Sequence, residues 1–342
     1  MTKIFYHSCH SILEFDEVSL LSKLGYDVFS PGAYFNPNSS VDNMRPGIKN
    51  LIYDKDDVDL FSKIGKQHPG QDGKNFLTSD FIDRFDVFIV MHSPQWIVQN
   101  WDKIKHKRVI WRTIGQSVNS VEQTLQYCRN EGLEIIRYSP MEQNIPGYIG
   151  HDTIIRFYKD PDQYKNWSGE QERVISFVQD MKNRHRACNY YFFEEVTRPF
   201  NRHLFGPGNQ NIGDWTTGKI PYDKLLQELR RNRIYFYTGT HPASYTLNFM
   251  EAWMTGIPIV AIGPQHGNAR YFPGHNLYEI PNLIENETNG FISDNKTELQ
   301  QYITELISNE SFAKQISQAG RDSAIKYFGE DAIVKQWNNY IG

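Results

Sequence analysis

The stretch from Thr238 to Gly263 carries the densest set of groups able to hold a charged ligand. An apolar run, 233–237, ends in small and polar residues, and a loop then feeds a helix with one carboxylate, Glu251, about a turn in. Gly256 ends that helix and Pro258 opens a buried strand. Free N–H groups and aligned peptide dipoles at a helix start favour phosphate. The amides of Ser244, Tyr245, Thr246 and Leu247 therefore suit a diphosphate, with His241 as a polar neighbour. A carboxylate one turn on can accept hydrogen bonds from two adjacent ribose hydroxyls, as acidic residues do at other nucleotide sites. The residues alone leave a second reading open, in which Glu251 is a solvated helix position.

A diphosphate is strongly negative and calls for cations. Lys182, Arg184 and Arg186 crowd the loop 179–186. Basic residues at a helix start oppose its dipole, which favours a ligand role over a plain surface one. Gly206 and Gly208 follow a short strand, and Lys219 precedes a helix, in positions where loops meet ligands. In the first half, His7 and His92 follow strands, as does Arg112. These three are the candidate catalytic groups. Each also has an ordinary reading: a surface loop histidine, a histidine at a strand end, and an arginine paired with a carboxylate inside the fold. Glu142 is a possible carboxylate for an acceptor, or simply a helix-start glutamate.

These residues need a scaffold of alternating strands and helices. Strands are expected at 3–8, 26–30, 86–91, 108–112 and 134–138, with helices at 12–24, 95–104 and 119–131 between them. Residues 33–75 read as a long polar loop with short helices. The rhythm pauses at the polar stretch 159–172 and restarts with strands at 173–178, 203–206, 233–237 and 257–262. Helices are expected at 187–198, 221–231, 246–255, 296–308, 310–328 and 330–341. The expectation is an α/β chain of two Rossmann-like domains, 1–165 and 166–328, with a last helix at 329–342.

A length of 342 residues suits two such domains. The net charge of −4 argues against general affinity for polyanions. Three cysteines in no metal pattern, with no leader or membrane span expected, point to the cytoplasm. With 20 Tyr and 21 Phe, the many aromatic residues are expected mainly to fill cores.

Glu251, Ala252, Gly256, Pro258, Ile259 and Val260 resemble the nucleotide-sugar signature of the retaining glycosyltransferases of the large family four, which have the GT-B fold. Asn289-Gly290 and the run from Arg321 to Phe328 with Trp337 extend the likeness downstream. The resemblance covers about half the chain and implies two domains facing across a cleft, 1–165 for the acceptor and 166–328 for the nucleotide, with the helix at 329–342 crossing back. It implies transfer of a sugar from a UDP- or GDP-sugar to an acceptor hydroxyl with retained configuration. In that family Glu251 would meet the ribose, Lys182, Arg184 and Arg186 the diphosphate, and the backbone near Lys219 the base. Two departures stand out. The family's first glutamate falls at Ala243, and the loop 111–116 lacks the histidine that many relatives have there. No paired aspartates suited to a metal are found, so no metal and no cofactor beyond the donor are expected. The acceptor is left open as a glycan, a lipid, a small molecule or a modified DNA base. Rival readings are a phage-type enzyme that glucosylates DNA bases, a binding scaffold without turnover, and a sugar-nucleotide epimerase.

Overall fold

The computed structural model describes residues 1–32, 53–67, 77–268 and 276–342. The described residues form two compact units, one of Met1–Tyr158 with Val334–Gly342 and one of Lys159–Ile333. Each is built on a parallel sheet of six strands.

In the first unit the strands are β1 (Lys3–Ser8), β2 (Asp27–Phe29), β3 (Val87–Met91), β4 (Arg108–Arg112), β5 (Glu134–Arg137) and β6 (Thr153–Ile154). The order across the sheet is β2-β1-β3-β4-β5-β6. The helices are α1 (Ser11–Lys23), α2 (Lys55–Gln67), α3 (Ser79–Ile82), α4 (Pro94–Ile104) and α5 (Asn119–Asn130). β3 is buried along its whole length, as expected of a central parallel strand covered on both faces. The aromatic residues do fill the core: Phe5, Phe29, Phe61, Phe81, Phe85, Phe88 and Trp96 form one cluster. Of the polar run 33–75, residues 55–67 form α2, while 33–52 and 68–75 lie outside the described residues.

The second unit has β7 (Gln171–Phe177), β8 (Arg202–Phe205), β9 (Thr216–Thr217), β10 (Asn232–Tyr237), β11 (Ile259–Ile262) and β12 (Phe291–Ser293). Their order is β12-β11-β10-β7-β8-β9. The helices are α6 (His185–Cys188), α7 (Tyr190–Thr197), α8 (Tyr222–Arg231), α9 (Leu247–Thr255), α10 (Pro264–Gly267), α11 (Ile280–Leu283), α12 (Lys296–Ser308) and α13 (Glu310–Phe328). A last helix, α14 (Glu330–Ile341), follows. The single helix expected at 187–198 is two, because Asn189 takes a left-handed conformation (φ 55°) between α6 and α7. α9 stops at Gly256, whose φ of 91° suits glycine and ends the helix cleanly.

The division falls between Tyr158 and Lys159, at the start of the stretch 159–172. That stretch is not a loose connector. Lys159 and Tyr164 are each 1% exposed, and Trp167 donates to the Asn232 carbonyl at 2.8 Å. Its polar composition reflects hydrogen bonding into the second unit, which sequence composition alone does not distinguish from solvation.

Candidate functional site

Open parallel sheets bind ligands beyond the carboxyl ends of their strands, where the winding reverses. In the second sheet that point lies between β7 and β10. The loops singled out by sequence meet there. Lys182 and Arg184 are exposed on the loop after β7, and Arg186 is exposed on α6 just beyond it. The backbone N–H of Asp180 donates to the Pro207 carbonyl at 2.7 Å, and that of Met181 to Asn209 Oδ1 at 2.9 Å. This ties the cationic loop to the loop after β8. At Gly206, with φ 135°, a Cβ would stand 2.4 Å from the Val178 carbonyl oxygen, so only glycine allows the two loops to approach. Gly208 N–H is held by Gln210 Oε1 at 3.1 Å. The Gly206 N–H reaches the carbonyls of Thr217 and Gly218 at 3.1 and 3.2 Å, which brings in the loop carrying the exposed Lys219.

From the β10 side, the His241 N–H donates to the Ala187 carbonyl at 2.8 Å. The Asn248 side chain donates to the Phe177 carbonyl at the end of β7. The first turn of α9 therefore abuts the cationic loop. Thr246 precedes α9 in an extended conformation. Ser244 is buried, and its carbonyl accepts the Glu279 N–H at 3.0 Å. The Tyr245 ring packs on Phe328 at 5.3 Å, so its side chain belongs to the core and its expected ligand role falls to the backbone. Leu247, half-buried, opens the helix.

Glu251 is 4% exposed, which removes the solvated reading. Its Oε1 accepts from Lys159 Nζ at 3.1 Å and from the Tyr164 hydroxyl at 3.0 Å. The Tyr222 hydroxyl donates to that of Tyr164 at 2.8 Å. Sequence reasoning missed Lys159 and Tyr164, which lie far from Glu251 along the chain. It also missed a second pair on this edge: His266 Nδ1 lies 2.9 Å from Asp294 Oδ1, and the Asp294 carboxylate also accepts the backbone N–H groups of Gln265 and His266 at 3.0 Å each. Their signal was faint, a histidine and an aspartate each just past a strand.

In the first unit the winding reverses between β1 and β3. His7, the penultimate residue of β1, and His92, just after β3, both lie there. His7 stacks on Trp96 at 4.8 Å. His92 and Ser93 both have positive φ, 56° and 35°, an uncommon backbone state for such residues. The Arg112 carbonyl and the Trp111 indole hold the His92 backbone at 2.8 and 2.9 Å. Burial lowers the His92 pKa, so its ring is neutral near pH 7.

Arg112, a candidate catalytic group by sequence, takes its ordinary reading in the structure. It is fully buried, and its guanidinium bonds Glu17 Oε1 through Nε at 2.9 Å and Nη2 at 2.6 Å. Nη1 donates to the Ile155 carbonyl at 2.6 Å, and the group lies over Phe157 at 4.4 Å. It is the arginine paired inside the fold. Glu142 likewise takes its ordinary role. It closes a capping box with Ser139 and accepts from the Thr113 hydroxyl at 2.7 Å. Burial, partly offset by Arg137, pushes its pKa up to about 7.

No family model matches the sequence, and comparison with curated proteins gives no match. Solved structures do match over the whole chain. Anabaena Alr3699/HepE in complex with UDP-glucose superposes with a TM-score of 0.64 at 14% identity, covering 100% of this chain and 99% of that one. A glycosyltransferase from Rickettsia africae gives 0.62 at 12% identity, covering 99% and 97%. An alpha-glucosyltransferase in complex with UDP-glucose and DNA containing an abasic site gives 0.64 at 11% identity, covering 100% and 99%. The chain has the GT-B fold. In this GT-B chain the loops gathered on the second sheet come from the ends of β7, β8, β9 and β10, and the histidines from the ends of β1 and β3. Among the described residues, no helix is long and apolar enough to cross a membrane.

Proposed function

We propose that this protein is a glycosyltransferase that moves a sugar from a UDP-sugar to an acceptor hydroxyl, with retained configuration as the sequence resemblance implies. The observation that carries the reading is the convergence of the cationic loop, the Gly206 and Gly208 loop, the Lys219 loop and the start of α9, with Glu251 one turn below. Lys182, Arg184 and Arg186 bind the diphosphate, together with the amides at 244–247. Glu251 accepts the ribose hydroxyls, and backbone near Lys219 meets the base. His241 and Ser244 line the same loop. Uridine is favoured over guanosine because the UDP-glucose complexes are of proteins alike over their whole length. The first unit serves the acceptor, with His7 and His92 as its polar groups. A neutral His92 is suited to hydrogen bonding with a hydroxyl.

The reaction runs without a metal in this reading, because three cationic side chains and helix amides answer the leaving charge. Cys9, Cys128 and Cys188 are all free thiols, in keeping with a cytoplasmic enzyme. Calorimetry with UDP tests the proposal. Wild type binds, and Glu251→Ala loses about ten-fold or more in affinity, the size of a hydrogen bond to a charged group. Unchanged affinity in that variant refutes the site.

A further inference from the structure

Glu251 is held by residues that the mechanism above does not use. Lys159 Nζ and the Tyr164 hydroxyl converge on the same oxygen, Oε1, at 3.1 and 3.0 Å. A carboxylate offers about four acceptor positions, and two donors meeting on one oxygen constrain its plane. Both donors come from one short segment whose backbone is clamped. The Arg321 guanidinium donates to the carbonyls of Pro161, at 2.8 Å, and of Tyr164 and Met254. The Arg230 guanidinium donates to the carbonyls of Lys165 and Gln163 at 2.9 and 3.2 Å. The Lys159 N–H is bound to the Phe328 carbonyl at 2.9 Å. Lys159 and Tyr164 therefore meet Glu251 from a backbone fixed to α8, α9 and α13, with little freedom left to lose when ligand binds. Tyr222, the first residue of α8, extends the chain of hydroxyls toward the Lys219 loop.

We infer that Lys159 and Tyr164 are positioning residues that aim the Glu251 carboxylate at the ribose and so set the preference for a ribonucleotide over its 2′-deoxy counterpart. The inference rests on the ribose role proposed for Glu251. Without Lys159 the carboxylate keeps its place on α9 but loses a charged partner and an anchor, and it turns toward other donors. The ligand hydroxyls then meet a carboxylate in the wrong plane.

The test compares UDP with 2′-deoxy-UDP by calorimetry. Wild type is expected to prefer UDP by about ten-fold or more, and Glu251→Ala to erase the preference. Lys159→Met and Tyr164→Phe should shrink it while leaving affinity for 2′-deoxy-UDP close to that of wild type, and Lys159→Arg should restore part of it. A role confined to stability lowers both affinities in parallel and leaves their ratio intact. That outcome in Lys159→Met and Tyr164→Phe, with the ratio lost in Glu251→Ala, overturns the positioning role and spares the ribose site. A wild type with no preference, or a Glu251→Ala variant that keeps it, overturns the ribose site and the positioning role with it. Should Lys159→Met fail to fold, Tyr164→Phe, which removes a single hydroxyl, decides by the same ratio.

Discussion

Replacing Arg112 by methionine separates a structural cation from a catalytic one. The side chain is fully buried, and Glu17, its partner, is 1% exposed. Two of its nitrogens bond Glu17 Oε1, and a third bonds the Ile155 carbonyl. The Tyr6 hydroxyl donates to the other Glu17 oxygen at 2.5 Å. Methionine fills similar volume but leaves the Glu17 carboxylate buried without its cation. Breaking a buried pair from one side costs about 3–5 kcal/mol. At about 2–4 °C per kcal/mol for a unit of this size, the melting transition of the first unit should fall by roughly 6–20 °C. Removing the charge on both sides, in Arg112→Met with Glu17→Gln, should recover part of that loss, because no uncompensated charge remains. Urea unfolding of the wild type, both single variants and the double variant closes the cycle. UDP affinity, which the proposed site places in the second unit, should not change. The reasoning fails if Arg112→Met melts within a degree or two of wild type while turnover collapses, since the arginine would then be acting on substrate.

Replacing Lys182 and Arg184 together by alanine should spare uridine binding and weaken UDP binding; equal losses for both ligands contradict their diphosphate role. Glu142, with its pKa raised from the usual 4.5 to about 7, stabilises the fold fully below pH 4.5 and less as pH rises through 7. The span corresponds to about 3 kcal/mol at most. Glu142→Gln should therefore show a flatter stability profile between pH 5 and 8 by urea titration, and a slope equal to that of wild type removes the assignment. Turnover should survive EDTA, with activity lost on chelation and regained with a divalent cation counting against the metal-free reading.

Local pattern carried much of the architecture. The helices Lys296–Ser308 and Glu310–Phe328 were legible because their apolar residues recur at helical spacing between clear polar caps. The central strands were legible as short apolar runs, and β3 is buried throughout. β6 and β9, of two residues each, left no periodicity to read. The break at Asn189 was invisible because it depends on one residue turning left-handed, with its side chain donating to the Thr238 carbonyl at 3.0 Å.

Residue type and spacing, read along the chain, settled the class of fold and singled out the loops that gather at the end of the second sheet, because strand order follows from alternation and ligand loops follow strand ends. Burial and partners were decided only by the tertiary structure. Arg112 and Arg184 look alike in sequence, yet one is sealed against Glu17 and the other stands exposed. Lys159 reads as a linker residue and is an interior ion-pair partner of Glu251. The physical reason is common to both. A charge is stable in water or beside an opposite charge, and which of the two applies depends on what distant segments bring next to it.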